Sequence, residues 1–239
     1  MQGQSAHPDP GSGRAGGAGR HPVCLHRVAQ PGGGRVSGSV DRLLDVGPGA
    51  GGPADGPAGW GAMATAAGEF RLRPVRILAD LGLLTRWMND PEVAEFWELA
   101  GPSAVTEQHL RHQLDGDGRS LPCLGLLDDT PMSYWEVYRA DLDPLAAHYP
   151  ARPHDTGLHL LLGPAASRGR GLGTTLLTAL TDRLLRERPH CERVVAEPDV
   201  RNRRSVRAFR RAGFRLAAEL DLPDKRAALM VRDRIPHPA

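Results

Sequence analysis

At 239 residues the chain is long enough for one large domain, or for one domain with an appendage. Its formal net charge of +2 gives no electrostatic case for nucleic acid or an anionic membrane as a partner. No run approaches the ~20 apolar residues of a membrane helix, and the N-terminus lacks the apolar core of a signal peptide. Cys24, Cys123 and Cys191 are odd in number and far apart, with no CxxC or Cys/His metal spacing. A disulfide framework and a metal site are therefore not expected, and a reducing cytoplasm is the simplest location.

Composition changes sharply near residue 63. Residues 1–62 are roughly two-fifths Gly plus Pro, too poor in apolar side chains to offset backbone entropy, and are expected to be disordered. Met63 opens MATAAGEFRLRPV, which reads as an ordinary start, so the preceding segment is also a candidate mis-called start. Within it LLDVGPGAGG (43–52) imitates the strand and glycine turn of nucleotide-binding methyltransferases. The PADGPAGWGAM that follows can supply neither the helix nor the next strand that such a site requires.

From residue 70 the chain is globular. FRLRPV (70–75) is a predicted strand, 80–89 a helix, and Asn89-Asp90-Pro91 starts a second helix carrying Val93, Phe96 and Trp97 on one face. Thr106 is expected to cap a third helix through Leu114, ended by DGDG. Strands at 121–128 and 132–139 flank a hairpin turn at Asp128–Pro131, and a polar loop spans 140–155. A strand at 156–163 leads into a helix at 171–187 with a leucine face, Leu172, Leu176, Leu177, Leu180 and Leu184. A strand at 192–197, a helix at 201–212 ended by Gly213, and strands at 214–221 and 226–233 complete the order β-α-α-α-β-β-β-α-β-α-β-β. That order predicts one α/β domain over 63–239, with a mixed central sheet flanked by helices.

Two motifs carry chemistry. Arg168-Gly169-Arg170-Gly171-Leu172-Gly173-Thr174 lies between a strand and a helix, where glycines let backbone N–H groups approach a phosphate. His159 sits mid-strand, sharing a face with Gly157 and Leu161; its imidazole suits a general base, and a buried core histidine is the alternative. Glu197 and Asp199 end the next strand, as candidates to orient His159 or to bind a cationic acceptor, against a capping role for Asp199. His154 and Asp155 stand at the loop edge, for substrate contact or loop bracing. Trp97, Trp135 and Tyr138 are candidates to line an acyl or acceptor channel, with the core as their alternative. Cys191 has no positioned base and reads as structural.

Arg168-x-x-Gly171-x-Gly173, followed after the next strand by Asn202-x-x-Ser205-x-x-x-Phe209-x-x-x-Gly213-Phe214, resembles the GNAT N-acetyltransferase superfamily. The resemblance covers about 70–233 and implies the GNAT fold, with acyl-CoA held at Arg168–Thr174 and beside Asn202, Ser205 and Phe209. RWMNDPEVAEFWELAGP (86–102), PHDTGLHLLLGP (153–164) and AEPDVRN (196–202) resemble, more narrowly, the siderophore-pathway acyltransferases. Those include the mycobactin lysine N-acyltransferase type and the N-hydroxylysine and N-hydroxycadaverine acylases; the aminoglycoside 6'-N-acetyltransferases are nearby relatives. The resemblance implies direct acyl transfer from acetyl-CoA or succinyl-CoA to a small amine or hydroxylamine, with His159 as base and no metal. It also places an oxyanion contact at backbone N–H groups around Leu160–Leu162. Phe209 departs from the pattern, since many relatives carry there a tyrosine read as the acid for the departing thiolate. A monomer or homodimer is expected. The rival expectations are an aminoglycoside-type or other small-amine N-acetyltransferase and a non-catalytic CoA-binding module.

Overall fold

The computed structural model describes residues 59–235. Most of the expected disordered segment 1–62, including the stretch at 43–52, lies outside the described residues. The few residues before Met63 that are described belong to the domain: the Trp60 carbonyl accepts a hydrogen bond from Arg183 at 2.6 Å, and Arg188 lies over the Trp60 ring.

Eight described strands form one mixed sheet in the order β1-β2-β3-β4-β5-β6-β8-β7. The strands are β1 (Met63–Thr65), β2 (Gly68–Pro74), β3 (Ser120–Leu127), β4 (Thr130–Arg139), β5 (Thr156–Leu162), β6 (Arg193–Ala196), β7 (Arg215–Asp221) and β8 (Arg226–Asp233). The helices are α1 (Ile77–Met88), α2 (Pro91–Trp97), α3 (Ser103–Leu114), α4 (Leu172–Glu187) and α5 (Arg203–Arg211). β1 is an addition to the expected order; it folds back on β2 through a two-residue turn, with Met63 opposite Phe70.

Local chemistry accounts for most boundaries. Asp90 caps α2, its carboxylate accepting from Glu92 N–H at 3.0 Å with Pro91 in the first turn, and Glu98 ends the helix at φ 54°. The β3–β4 hairpin turns on Asp128 and Asp129 at φ 47° and 61°, the left-handed region that Asp tolerates and a tight hairpin needs. Thr106 is not a cap. Pro102, in an extended conformation, caps α3 four residues earlier, which leaves Thr106 buried within the helix. The expected loop 140–155 contains two short 3-10 turns, Ala140–Leu142 and Pro144–Ala147.

The core has two layers. On one face of the sheet the leucines of α4 (Leu176, Leu177, Leu180 and Leu184) and Phe209 of α5 pack on Phe70, Trp135, Val137 and Leu158. On the other, α1, α2 and α3 bring Leu84, Trp87, Met88, Val93 and Leu110 against Leu124, Tyr134 and Leu161. Each leucine so removed from water contributes about 1.5–3 kcal/mol, which fixes the helices on the sheet. β5 and β6 are parallel neighbours, registered only at Thr156–Val194 and Gly157–Val195. Past Gly157 the two strands part, and the gap between them is the entrance to the site.

Candidate active site

Three neighbouring strands set three ionisable side chains abreast. In the antiparallel β4–β5 pair, Glu136 lies directly opposite His159. Continuing the parallel register of Thr156–Val194 and Gly157–Val195 places Glu197 opposite His159 on the other side, just past the end of β6. The side chains follow the backbone. His159 Nδ1–H donates to Glu136 Oε2 at 2.7 Å, and His159 Nε2–H donates to Glu197 Oε1 in a short contact. Neutral imidazole has one N–H, so donating to carboxylates from both ring nitrogens requires the imidazolium.

The carboxylates are in turn held. Glu136, 1% exposed, accepts from His109 Nε2–H at 2.6 Å, Gln113 Nε2–H at 2.7 Å and Tyr134 O–H at 2.8 Å. Glu197 accepts from Tyr138 O–H at 2.8 Å and has the Lys225 ammonium 3.8 Å away. Tyr134, Glu136 and Tyr138 alternate along β4 and so share the sheet face of His159. Gly157 makes room for this arrangement, because a Cβ there would stand 2.1 Å from Tyr138 Cζ. His159 keeps 26% of its side chain exposed to the cleft, so the charged ring is in reach of a substrate.

Electrostatics oppose burial and win. Burial by itself lowers the His159 pKa, but the Glu197 charge and the hydrogen bonds to Glu136 and Glu197 raise it to about 10. Burial pushes Glu197 up, and the charges of His159 and Lys225 with the His159 and Tyr138 hydrogen bonds outweigh that, bringing it to about 2. Glu136 is likewise held well below the usual carboxylate range against its burial, chiefly by His109 and His159. The stability consequences have opposite signs. The raised His159 pKa contributes fully below its ordinary 6.5 and is lost as pH climbs through about 10. The depressed Glu197 pKa contributes fully above its ordinary 4.5 and is lost as pH falls toward about 2. Thermal unfolding against pH should therefore show the cluster's full contribution between pH 4.5 and 6.5, and His159→Ala should flatten the decline above 6.5. An unchanged alkaline limb in that variant would contradict the assignment.

The cleft gathers most of the residues singled out from the sequence. Trp97, His159, Glu197, Asp199, Asn202, Ser205 and Phe209 line it, together with Leu158 and Leu160 from the parted edge of β5. Trp97 meets His159 edge-on with ring centroids 6.1 Å apart. Tyr138 lies beneath, its ring 4.9 Å from His159. Asp199 is held by Arg201 at 2.6 Å, and that hydrogen bond is the main cause of its lowered pKa. Asn202 caps α5, accepting from Ser205 N–H at 3.0 Å.

Three expectations are corrected. Trp135 points to the opposite sheet face, where its indole N–H donates to Ser133 Oγ at 2.8 Å and its ring packs on Phe70. The two-residue period that puts Glu136 in the cleft puts Trp135 in the core. Asp155 is buried in an ion pair with Arg193 at 2.7 Å and also accepts from Tyr149 O–H at 2.9 Å, so it braces the 140–155 segment rather than meeting substrate. His154, at φ 66°, stacks by His190 at 5.5 Å outside the cleft.

The glycine turn stands at the start of α4. Gly169 and Gly171 have positive φ of 72° and 85°, and no atom lies within 4 Å of where their Cβ would be. The first intrahelical bond is Thr175 N–H to Gly171 O, so the N–H groups of Leu172, Gly173 and Thr174 have no acceptor within the helix. Such an open turn with unsatisfied donors fits a pyrophosphate. Arg168 serves the turn from inside: its guanidinium donates to Leu162 O at 2.9 Å, Gly163 O at 2.6 Å and Asp90 Oδ1 at 2.9 Å. It ties the turn to the end of β5 and to the cap of α2.

Glu136, His109 and Lys225 escaped the sequence reading. A signal existed for Glu136: a lone carboxylate in the otherwise apolar and aromatic MSYWEVYR strand must find partners if buried. Lys225 is the sole lysine among 30 basic residues, and it stands in the cleft. Cys123 and Cys191 are buried, and burial pushes the Cys123 thiol up to about 12. Among the described residues no helix is long and apolar enough to cross a membrane.

Comparison with known proteins agrees with this architecture. The profile of the acetyltransferase (GNAT) domain matches residues 76–222. The chain is 39% identical over 157 residues to the N(6)-hydroxylysine O-acetyltransferase of Escherichia coli, covering 66% of this chain and 50% of that protein. It thus spans about half the length of that relative. It is 36% identical over 152 residues to the lysine N-acyltransferase MbtK of Mycobacterium tuberculosis (strain ATCC 25618 / H37Rv), covering 64% and 72% of the two chains. Among solved structures, the aminoglycoside acetyltransferase AAC(6')-Ib in complex with coenzyme A superposes with a TM-score of 0.62 at 30% identity, over 69% of this chain and 95% of that one. With an eight-stranded mixed sheet parted between β5 and β6, an open glycine turn at the head of α4 and the domain profile across 147 residues, the chain belongs to the GNAT acyltransferase family.

Proposed function

We propose that the protein transfers an acyl group from acyl-CoA to the side-chain nitrogen of lysine, N6-hydroxylysine or an N-hydroxylated diamine, in hydroxamate siderophore assembly. The observation that carries this reading is the Glu136–His159–Glu197 row in the cleft, beside the parted strand edge at Leu158 and Leu160. The names of the relatives support the acceptor class, and the coenzyme A complex of the solved neighbour supports the co-substrate.

Bound acyl-CoA supplies the thioester carbonyl and a thiolate leaving group. The proton chemistry falls to this chain, and the role first expected for His159 changes. A ring that already donates from both nitrogens has no lone pair with which to take a proton. Glu197, ionised and lining the cleft beside it, is the acceptor for the proton that the attacking nitrogen sheds. An N-hydroxylamine is less basic than an alkylamine, so it is largely neutral at pH 7 and needs no stronger base. His159 provides the Nε2 proton for the departing sulfur, the duty that Phe209 cannot perform. The C–N bond forms, the C–S bond breaks, and the proton on Glu197 returns to His159 across their short contact. The row ends as it began.

A substrate panel tests the reading. Thiol release from acetyl-CoA or succinyl-CoA should require N6-hydroxylysine, N-hydroxycadaverine or lysine, with mass spectrometry showing acylation at the side-chain nitrogen. The acidic cleft keeps one alternative open, since Glu136, Asp143, Glu197, Asp199 and Asp224 would also favour a polycationic aminoglycoside. Turnover of kanamycin-type acceptors without turnover of the hydroxylamines would reverse the assignment.

A further inference from the structure

The carboxylates of the cleft differ in how they are neutralised. Glu136 faces His109 and His159, Glu197 faces His159 and Lys225, and Asp199 is paired with Arg201. Asp143 accepts from Leu145 N–H at 2.9 Å. Asp224 stands apart. It lines the cleft from the tip of the β7–β8 hairpin, yet its Oδ1 is buried with no hydrogen-bond partner, and it has no ion pair among the described residues. The turn does not need it: the tip is closed by backbone, Leu222 N–H donating to Lys225 O at 2.9 Å. Nor does the adjacent Lys225 neutralise it, because the contact of that ammonium is with Glu197. A buried acceptor that the fold leaves unsatisfied, on a wall already rich in carboxylates, calls for a donor that also carries positive charge.

We propose that Asp224 is a specificity-determining residue that binds a second ammonium group on the acceptor, remote from the nitrogen that is acylated. The site thereby takes diamines and diamino acids in preference to monoamines of the same length. One nitrogen of such an acceptor meets Glu197 and His159 while the other meets Asp224. This inference rests on the acyl-transfer reading for the placement of the reacting nitrogen, but its own test is binding rather than turnover.

Titration calorimetry of the full chain with 1,5-diaminopentane and with n-pentylamine compares one ammonium with two on the same carbon skeleton. The native protein should bind the diamine about 10-fold or more tightly than the monoamine, the scale of a partly buried charge pair. Asp224→Asn, which keeps the shape and removes the charge, should bring the two to within about twofold at an unchanged melting temperature. Equal affinities in the native protein, or a diamine advantage that survives Asp224→Asn, would overturn the proposal. A protein that acylates no hydroxylamine and still loses its diamine advantage in Asp224→Asn would retain this subsite while losing the proposed reaction.

Discussion

Glu197→Gln is expected to lower kcat by about 10²–10⁴-fold, the usual contribution of a positioned proton acceptor, with the KM for acyl-CoA little changed. The substitution keeps the side-chain shape beside Tyr138 and His159 but exchanges one of two accepting oxygens for a donor and removes the charge that receives a proton and holds His159 as imidazolium. The same carboxylate therefore supports both halves of the proton transfer, which is why one neutral substitution should cost so much. Asp199→Asn is the control. Asp199 lines the same cleft but is committed to Arg201, so its loss should cost kcat no more than about 10-fold. Steady-state thiol release from both variants decides between the two carboxylates. Near-native turnover in Glu197→Gln with collapse in Asp199→Asn would transfer the role to Asp199.

Arg193→Leu is expected to destabilise the domain by about 3–5 kcal/mol, because it strands a buried charge. The Arg193 side chain is 7% exposed and that of Asp155 1%, and they share two hydrogen bonds of 2.7 Å. Arg193 also donates to Pro150 O at 2.6 Å and lies over the Tyr149 ring, so one guanidinium ties the 140–155 segment to the start of β6. In a domain of this size the loss corresponds to a fall in melting temperature of roughly 10 °C. Adding Asp155→Asn to Arg193→Leu should restore part of the loss by removing the stranded carboxylate. A single variant within about 1 kcal/mol of the native protein would show that the pair contributes little beyond packing.

The placement of these residues separates what is local from what is not. The leucine face of α4, the Asp90-Pro91 start of α2 and the alternation that puts His159 with Gly157 and Leu161 are set by neighbours within a few residues. The chain order and the glycine turn before α4 are legible in the same way, because helix period, strand period and turn chemistry act over short spans. Thr106 shows the limit of that reasoning. A threonine ahead of a helical stretch looks like a cap, and only the extended Pro102 before Ser103 moves the start of α3.

The residues by themselves therefore determined the family of folds, the position of the open turn and the strand that carries the histidine. Only the tertiary structure decided what that histidine faces. Glu136 and Glu197 stand 23 and 38 residues from His159, and they meet it through strand register: one antiparallel pairing across the 140–155 segment, and one parallel pairing reached by way of α4. Periodicity fixes the face a side chain takes, whereas register fixes which side chains lie abreast. On the reading proposed above, the second carboxylate makes that ring a held proton rather than a base, because it donates to both neighbours.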